Sequence, residues 1–152
     1  MSSGIPLNDE DREPWLQLIR TVAEQHAVEQ QVDTSDFARA GFVVACSSLK
    51  KYYRDILRGT FDPKAVPEHH TPPRPSQIET IFVYIKGEKD LLMERMGHRE
   101  GHFMKDSMLN SQLATLESPE GEEGVIVVPL EANTDEQVRI AREQLTRIVG
   151  PI

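Results

Sequence analysis

The amino-acid sequence predicts an α/β fold in which a parallel sheet lies between flanking helices in three layers. Three short runs are largely apolar, which is typical of strands buried on both faces; they are 42–46, 78–85 and 125–130. Helical patterns separate these runs, which favours parallel pairing with right-handed crossovers. At 152 residues the chain is long enough for one domain with a core, so we expect a single domain over residues 1–152.

The first half of the sequence predicts a helix, a strand, a second helix and a loop. Asn8 is a candidate N-cap, and the acidic residues 9–11 suit the first turn of a helix of about twenty residues. The apolar positions predicted for its buried face are Trp15, Ile19, Val22, Ala23 and His26/Ala27. The strand over 42–46 leads into a basic helix over 49–58. A proline-rich segment with a paired histidine, 59–77, is predicted to be an irregular surface loop.

The second half of the sequence alternates strands and helices. The predicted elements are a strand over 78–85, helices over 88–96 and 105–116, an acidic turn over 118–124, a strand over 125–130 and a last helix. Thr134 and Gln137 have the spacing of a capping box at the start of that helix.

Composition excludes several classes of protein. The net charge of −8 argues against a general nucleic-acid binder, which needs a basic surface. A single cysteine, Cys46, cannot form an intramolecular disulfide. The sequence has no apolar run long enough to span a membrane and no leader-peptide pattern at its amino end. We therefore expect a cytoplasmic protein that binds neither membranes nor nucleic acids.

Ligands of parallel sheets bind beyond the carboxyl ends of the strands, which points to residues 46–48, 85–87 and 129–131. Ser47 and Ser48 are expected to open a helix, and its free N–H groups, with Lys50 and Arg54 close by, favour a small anion. An ordinary serine cap beside a solvated basic face is the alternative, and the sequence leaves both open.

A second candidate site is the glycine-punctuated segment over about 95–106, which contains Arg95, Arg99 and His102. Two arginines in such a loop have little structural purpose, and on closing they can neutralise the charge of a phosphoryl group. We therefore interpret the segment as a lid. A nucleic-acid-binding loop is disfavoured by the acidic chain, and a His98/His102 metal pair by the glycines at 97 and 101.

Several motifs occur together in a fixed order. They are Ser3-Gly4-x-Pro6-Leu7-x-Asp9-x-Asp11-Arg12-x-Pro14-Trp15-Leu16, Cys46-Ser47-Ser48-Leu49-Lys50-Lys51-x-Tyr53-Arg54-Asp55-x-Leu57-Arg58, Phe82-x-Tyr84-x-Lys86-Gly87, Arg95-x-x-x-Arg99-x-Gly101-His102-Phe103, Met108-Leu109-x-Ser111-Gln112 and Glu117-x-Pro119. With these motifs the chain closely resembles the gluconokinase family, small P-loop kinases related in fold to shikimate kinase. The resemblance covers nearly the whole chain apart from the 59–77 loop.

The resemblance implies a shikimate-kinase-like fold and phosphorylation of the 6-hydroxyl of D-gluconate by ATP with Mg²⁺, feeding the pentose phosphate route. It implies that Arg95 and Arg99 are lid arginines closing over ATP. The residues that would contact substrate or its phosphate are Arg12, Ser47, Lys50, Arg54, His102 and Gln112. Gluconokinases are often dimers, which leaves a homodimer open.

The sequence departs from the family in one respect. The phosphate-binding motif G-x-x-x-x-G-K-[ST] is absent from the 152 residues, and Met1 coincides with an internal methionine of a full-length relative. We therefore expect the fold to lack its first strands, and this chain alone to be marginal in folding and weak or inactive as an enzyme. Two alternatives stay open: a non-catalytic binding or regulatory module derived from a kinase, and a kinase for another small acid or sugar.

Overall fold

The computed structural model describes residues 7–33, 41–61, 78–97 and 106–150. They fall into two compact units, one over Leu7–Thr80 and one from Ile81 onwards. The elements, in chain order, are α1 (Asp9–Asp33), α2 (Lys51–Arg58), β1 (Phe82–Lys86), α3 (Lys89–Gly97), α4 (Asp106–Thr115), β2 (Val125–Pro129) and α5 (Thr134–Val149). The first unit holds α1 and α2, and the second holds the other five elements.

Helix α1 begins where the sequence predicts. The Asn8 side-chain oxygen accepts a hydrogen bond from the Asp11 N–H at 2.8 Å, and the Asn8 N–H donates to the Asp11 carboxylate at 3.1 Å. This reciprocal pair satisfies donors that a helix start otherwise leaves without partners. The N-cap prediction is confirmed, and the helix, at 25 residues, runs longer than expected.

The buried face of α1 differs from the predicted one. Leu16 and Ala23 are buried, whereas Trp15 and Val22 are exposed. The sequence has apolar residues at 15, 16, 18, 19, 22 and 23, so two overlapping stripes fit a helical period. Packing against α2, which contributes Tyr53, Ile56 and Leu57 to the same core, selects the stripe that contains Leu16.

The strand predicted over 42–46 is wrong. Residues 41–49 have no regular secondary structure, and the Val43 side chain is fully exposed. An apolar run becomes a buried strand only if a neighbouring strand completes its hydrogen-bond ladder. Within the described ranges the only strands that pair are β1 and β2, so Phe42 to Cys46 has no ladder there.

Helix α2 starts later than predicted and ends at a glycine. Lys50 is its N-cap in an extended conformation with no side-chain cap, so Ser47 and Ser48 do not open the helix. At the other end Gly59 has a φ of 74°, its N–H bonds to the Ile56 carbonyl, and the Thr60 N–H bonds to the Asp55 carbonyl. These two bonds form a Schellman motif, for which a left-handed glycine is the usual residue.

In the second unit β1 and β2 pair in parallel, as predicted, with Phe82 opposite Val125 and Lys86 opposite Pro129. The first of these strands begins at Phe82, so 78–81 precede it without regular structure. Ile126 and Val128 are buried where α5 packs against β2. The predicted α/β class with parallel strands is confirmed, although the described residues provide two paired strands where the sequence predicts three.

The helices of the second unit agree with the sequence to within two residues at each end, except for one detail at the start of α5. The N-cap of α5 is Asn133, whose side-chain oxygen accepts from the Glu136 N–H at 2.9 Å. The predicted Thr134/Gln137 capping box is therefore wrong. The Gln137 amide instead donates to the carbonyls of Pro129 and Leu130 at the end of β2.

No helix among the described residues has the length and apolar character needed to cross a lipid bilayer.

Candidate functional site

In the first unit, charged and aromatic side chains meet where α1 and α2 begin. The Lys50 ammonium lies 2.8 and 2.7 Å from the two carboxylate oxygens of Asp9, and the Tyr53 hydroxyl donates to the same carboxylate. Asp9 is the first residue of α1, and Lys50 is the N-cap of α2. We refer to Asp9, Arg12, Lys50, Tyr52 and Tyr53 as the Asp9 cluster.

Arg12 and Tyr52 complete the Asp9 cluster. The Arg12 guanidinium carbon lies 5.8 Å from the centroid of the Tyr53 ring, and its Nε donates to the Leu7 carbonyl at 3.2 Å. The Tyr52 ring stacks edge-on against Tyr53 with a centroid separation of 4.5 Å. The Tyr52 hydroxyl is buried and has no hydrogen-bond partner among the described residues. The cluster thus presents two cations, one carboxylate and two aromatic rings.

The electrostatics of the cluster favour a charged carboxylate and neutral tyrosines. The hydrogen bond from Lys50, supported by the one from Tyr53, lowers the pKa of Asp9 below its ordinary value of 3.8. Burial raises the pKa of both Tyr52 and Tyr53, and the neighbouring Asp9 carboxylate adds to that shift. At neutral pH the groups are therefore an ammonium, a carboxylate and two phenols.

Ser47 and Arg54 were also predicted for this site, and one is exposed whereas the other is buried. Ser47 is exposed and belongs to the irregular segment before α2. Arg54 is only 1% exposed, and its guanidinium donates to the backbone carbonyls of Ser48 at 2.8 Å and Leu49 at 3.2 Å. Arg54 therefore holds the backbone that leads into α2. A substrate contact for either residue stays a prediction.

In the second unit the carboxyl ends of β1 and β2 are close-packed. A Cβ atom on Gly87 would lie 2.3 Å from the Leu130 Cβ, and the Leu130 N–H donates to the Lys86 carbonyl at 2.6 Å. The Lys86 ammonium pairs with Glu120 at 2.9 Å, which raises the pKa of Lys86. This sheet edge was predicted from the sequence as part of a site rim, and it lies next to the arginine described below.

Arg95, near the end of α3, reaches the loop that follows β2. Its guanidinium lies 3.5 Å from the Glu131 carbonyl oxygen and 3.4 Å from that of Ala132. Arg95 is itself exposed, so it combines a tether to this loop with access to solvent. An arginine beside the carboxyl end of a parallel strand is in the region where such folds bind ligands.

The remaining predicted site residues are distributed as follows. Arg99 and His102 lie outside the described residues. Gln112 is partly exposed on α4 in the second unit. Their predicted roles stay predictions, and among the described residues no three side chains of His, Cys, Asp or Glu are grouped so that they could hold a metal ion.

Sequence reasoning missed three members of the cluster, Asp9, Tyr52 and Tyr53. Asp9 and Tyr53 were within the motifs that carry the family resemblance, but Asp9 was interpreted as a helix-dipole residue, and neither tyrosine was given a role. The available signal was that Asp9 precedes Arg12 by three residues and Tyr53 follows Lys50 by three, the spacing of neighbours on a helix surface.

Comparison of the sequence with known proteins identifies relatives of this chain. No family model matches the chain. It is 36% identical over 132 residues to a probable gluconokinase of Xenopus tropicalis, covering 86% of this chain and 64% of the relative. It is 40% identical over 147 residues to a gluconokinase of Gluconobacter oxydans, covering 97% and 66%. A probable gluconokinase of Mus musculus is 34% identical over 147 residues, covering 95% and 74%.

Solved structures agree. A gluconokinase from Sinorhizobium meliloti 1021 superposes with a TM-score of 0.70 at 38% identity, covering 97% of this chain and 69% of that structure. A sugar kinase from Janibacter sp. HTCC2649 gives a TM-score of 0.68 at 36% identity, covering 99% and 72%. The fold is therefore that of a small-molecule kinase. The chain belongs to the gluconokinase family, and it spans 64% of the length of the Xenopus relative.

Proposed function

We propose that the protein acts in the ATP-dependent phosphorylation of D-gluconate at its 6-hydroxyl. The observation that carries this proposal is the Asp9 cluster, in a chain whose relatives are gluconokinases. Lys50 and Arg12 supply cations for a sugar-acid carboxylate, and the Asp9 carboxylate can accept hydrogen bonds from hydroxyl groups. A carboxylated polyol combines both kinds of group, so it fits this cluster better than a neutral sugar or a simple anion.

Arg95 supports the nucleotide side of the proposal. Its guanidinium lies at the loop after β2, and an arginine in that position suits the phosphates or base of ATP. Arg99 and His102 are proposed as its partners in the lid, and Gln112 as a contact on the substrate side. Mg²⁺ would shield the phosphate charges when bound. Because the described residues contain no group of three metal-binding side chains, we assign no residue to that ion.

The phosphate-binding loop limits what the 152 residues can do alone. Because the sequence has no G-x-x-x-x-G-K-[ST], the backbone N–H groups and lysine that usually hold the ATP phosphates are not supplied by these residues. We therefore expect slow ATP turnover by this chain. We separately propose a cytoplasmic location and a homodimer as the assembly to test.

The test is a coupled ADP-release assay with ATP, Mg²⁺ and D-gluconate on two proteins. One is the 152-residue chain, and the other is the same chain extended at its amino end by a segment that supplies a strand and a G-x-x-x-x-G-K-[ST] motif. We expect gluconate-dependent turnover in the extended protein and much less in the shorter one. Turnover with shikimate but not gluconate would contradict the proposed substrate.

A second candidate function is a non-catalytic module that binds a sugar acid. The absence of the phosphate-binding motif favours it. In that case D-gluconate binds to the 152-residue chain by calorimetry, and neither protein turns over ATP.

A further inference from the structure

The Lys50 ammonium is ordered from several sides. Both Asp9 carboxylate oxygens lie within 2.8 Å of it, and the ring centroids of Tyr52 and Tyr53 are each 5.7 Å away. A lysine on an open surface has four rotatable bonds and loses rotamer entropy when a ligand fixes it. In this protein the contacts with Asp9 and the two tyrosines order the Lys50 side chain before a ligand binds. Less rotamer entropy is then lost on binding, which favours a higher affinity for the ligand.

Tyr53 in turn orders Asp9. Its hydroxyl donates to the Asp9 carboxylate, and the side chain is 2% exposed within the core between α1 and α2. Tyr53 therefore cannot move without disrupting that core, whereas Asp9 lies at the more exposed first turn of α1. The contacts form a chain that runs from the core through Tyr53 and Asp9 to Lys50.

This arrangement has two possible consequences for an anionic ligand. Asp9 could compete with the ligand for Lys50, or it could hold Lys50 in the position that the ligand needs. The second is favoured because the cluster has two cations, Lys50 and Arg12, for one carboxylate, so Asp9 does not cancel its positive charge. Asp9 is also 47% exposed, so its oxygens can accept a hydroxyl hydrogen from a polyol while Lys50 contacts the ligand's carboxylate.

We propose that Asp9 and Tyr53 are positioning residues that hold the Lys50 ammonium for the carboxylate of a sugar-acid substrate. This inference rests on the proposed function and names residues of that site. It assigns the two residues an effect that passes through Lys50, which a double-mutant cycle can separate from an independent contact.

The experiment measures the dissociation constant of D-gluconate by calorimetry on the 152-residue chain. The variants are Asp9→Asn, Lys50→Met and the double variant, with Tyr53→Phe and Asp9→Glu alongside. Lys51→Met is the matched control, because its ammonium pairs with Asp55 at 2.7 Å on the same helix and is 61% exposed. Circular dichroism and thermal unfolding establish that each variant is folded.

We expect Asp9→Asn to weaken gluconate binding by about tenfold, which is a typical effect of losing a preorganised charged contact. Lys50→Met should weaken binding at least as much, and adding Asp9→Asn to it should cost clearly less than Asp9→Asn costs on its own. Tyr53→Phe should weaken binding by a smaller factor, Asp9→Glu should restore part of the loss, and Lys51→Met should leave the affinity unchanged.

Three results would overturn the inference. Unchanged or tighter binding by Asp9→Asn would mean that Asp9 competes with the ligand. Fully additive effects of Asp9→Asn and Lys50→Met would mean that Asp9 acts without Lys50. If Asp9→Asn does not fold, unchanged affinity in Tyr53→Phe is the deciding result. Failure of the unmodified chain to bind gluconate at all is a different outcome, because it contradicts the proposed function and removes the basis of the inference with it.

Discussion

At Gly87 the absence of a side chain lets the end of β1 lie directly against Leu130. A Cβ atom there would be 2.3 Å from the Leu130 Cβ and 2.6 Å from its Cδ2, far inside van der Waals contact. Leu130 is buried, and its N–H is bonded to the Lys86 carbonyl, so it has little room to withdraw. Packing against Leu130 requires the glycine at this position. Backbone conformation does not, because the φ of Gly87 lies outside the left-handed region.

We predict that Gly87→Ala lowers the free energy of unfolding by about 1–3 kcal/mol, the usual cost of overpacking a close contact. Urea denaturation followed by circular dichroism measures it. Gly97→Ala is the control, because a Cβ atom at the end of α3 would meet nothing within 4 Å, and alanine suits a helix better than glycine. Equal stability of the Gly87→Ala variant and the original protein would show that Leu130 moves aside freely.

Single residues were predicted unevenly from the sequence. Lys50, Arg12 and Gly87 were selected by motif or by position at a strand end. In the structure Lys50 contacts Asp9, Arg12 lies over the Tyr53 ring, and Gly87 packs against Leu130. Arg54 looked the same in the sequence, yet it is buried against carbonyl groups. The position of Arg54 in the sequence does not show whether its guanidinium faces solvent or backbone, because that depends on how the chain before α2 folds.

Arg20 connects helix α1, the end of helix α2 and the residue Thr80 within the first unit. Its guanidinium donates to Glu24 on α1 at 2.6 Å, to the Leu57 carbonyl at the end of α2 at 3.0 Å and to the Thr80 hydroxyl at 3.1 Å. The side chains of Arg20 and Glu24 are only 14% and 12% exposed. Removing the cation would leave a poorly solvated Glu24 carboxylate, and the Leu57 carbonyl would keep only its hydrogen bond from the Thr80 hydroxyl at 3.1 Å.

We predict that Arg20→Met destabilises the protein by about 1–3 kcal/mol, because buried polar groups lose their partner. In the double variant with Glu24→Gln, part of that loss should be recovered, since the unpaired charge is gone. Arg139→Met is the matched control: Arg139 also pairs with a glutamate four residues on, but it is 55% exposed and should change stability by less than about 0.5 kcal/mol. Equal effects at Arg20 and Arg139 would contradict the role of burial. Chemical denaturation of the four proteins provides the comparison.

Elements stabilised by local bonds were predicted best. α3 and α4 match the sequence pattern closely because a helix forms its hydrogen bonds within its own segment. The segment 42–46 was predicted wrongly because a strand depends on a partner distant in sequence, and the apolar run carries no information about whether that partner is in place. The start of α5 was misassigned by one residue because Asn133 and Thr134 are both good caps.

The apolar segment 42–46 pairs with no strand among the described residues. It contains no charged residue, and Phe42, Val43 and Val44 are 41%, 101% and 48% exposed. In the second unit Val83 and Ile85 of β1 are about half exposed as well. Exposed apolar segments with high strand propensity and no charge promote association between chains.

We predict that this chain associates at high concentration and that Val43→Lys reduces the association without changing stability. A fully exposed side chain has no packing to lose, so the free energy of unfolding should stay within about 0.5 kcal/mol, while the added charge opposes strand pairing between copies. Light scattering against protein concentration measures association, and urea denaturation measures stability.

The same substitution at Val128 is the control for this experiment. Val128 is 1% exposed on β2, so Val128→Lys forces an ammonium into the core and should destabilise the protein and increase its association. If Val43→Lys instead lowered stability as Val128→Lys does, the segment 42–46 would be packed in solution, and the prediction would be contradicted. If stability were unchanged and scattering were also unchanged, association would have to arise elsewhere, and the exposed residues of β1 would be the next to substitute.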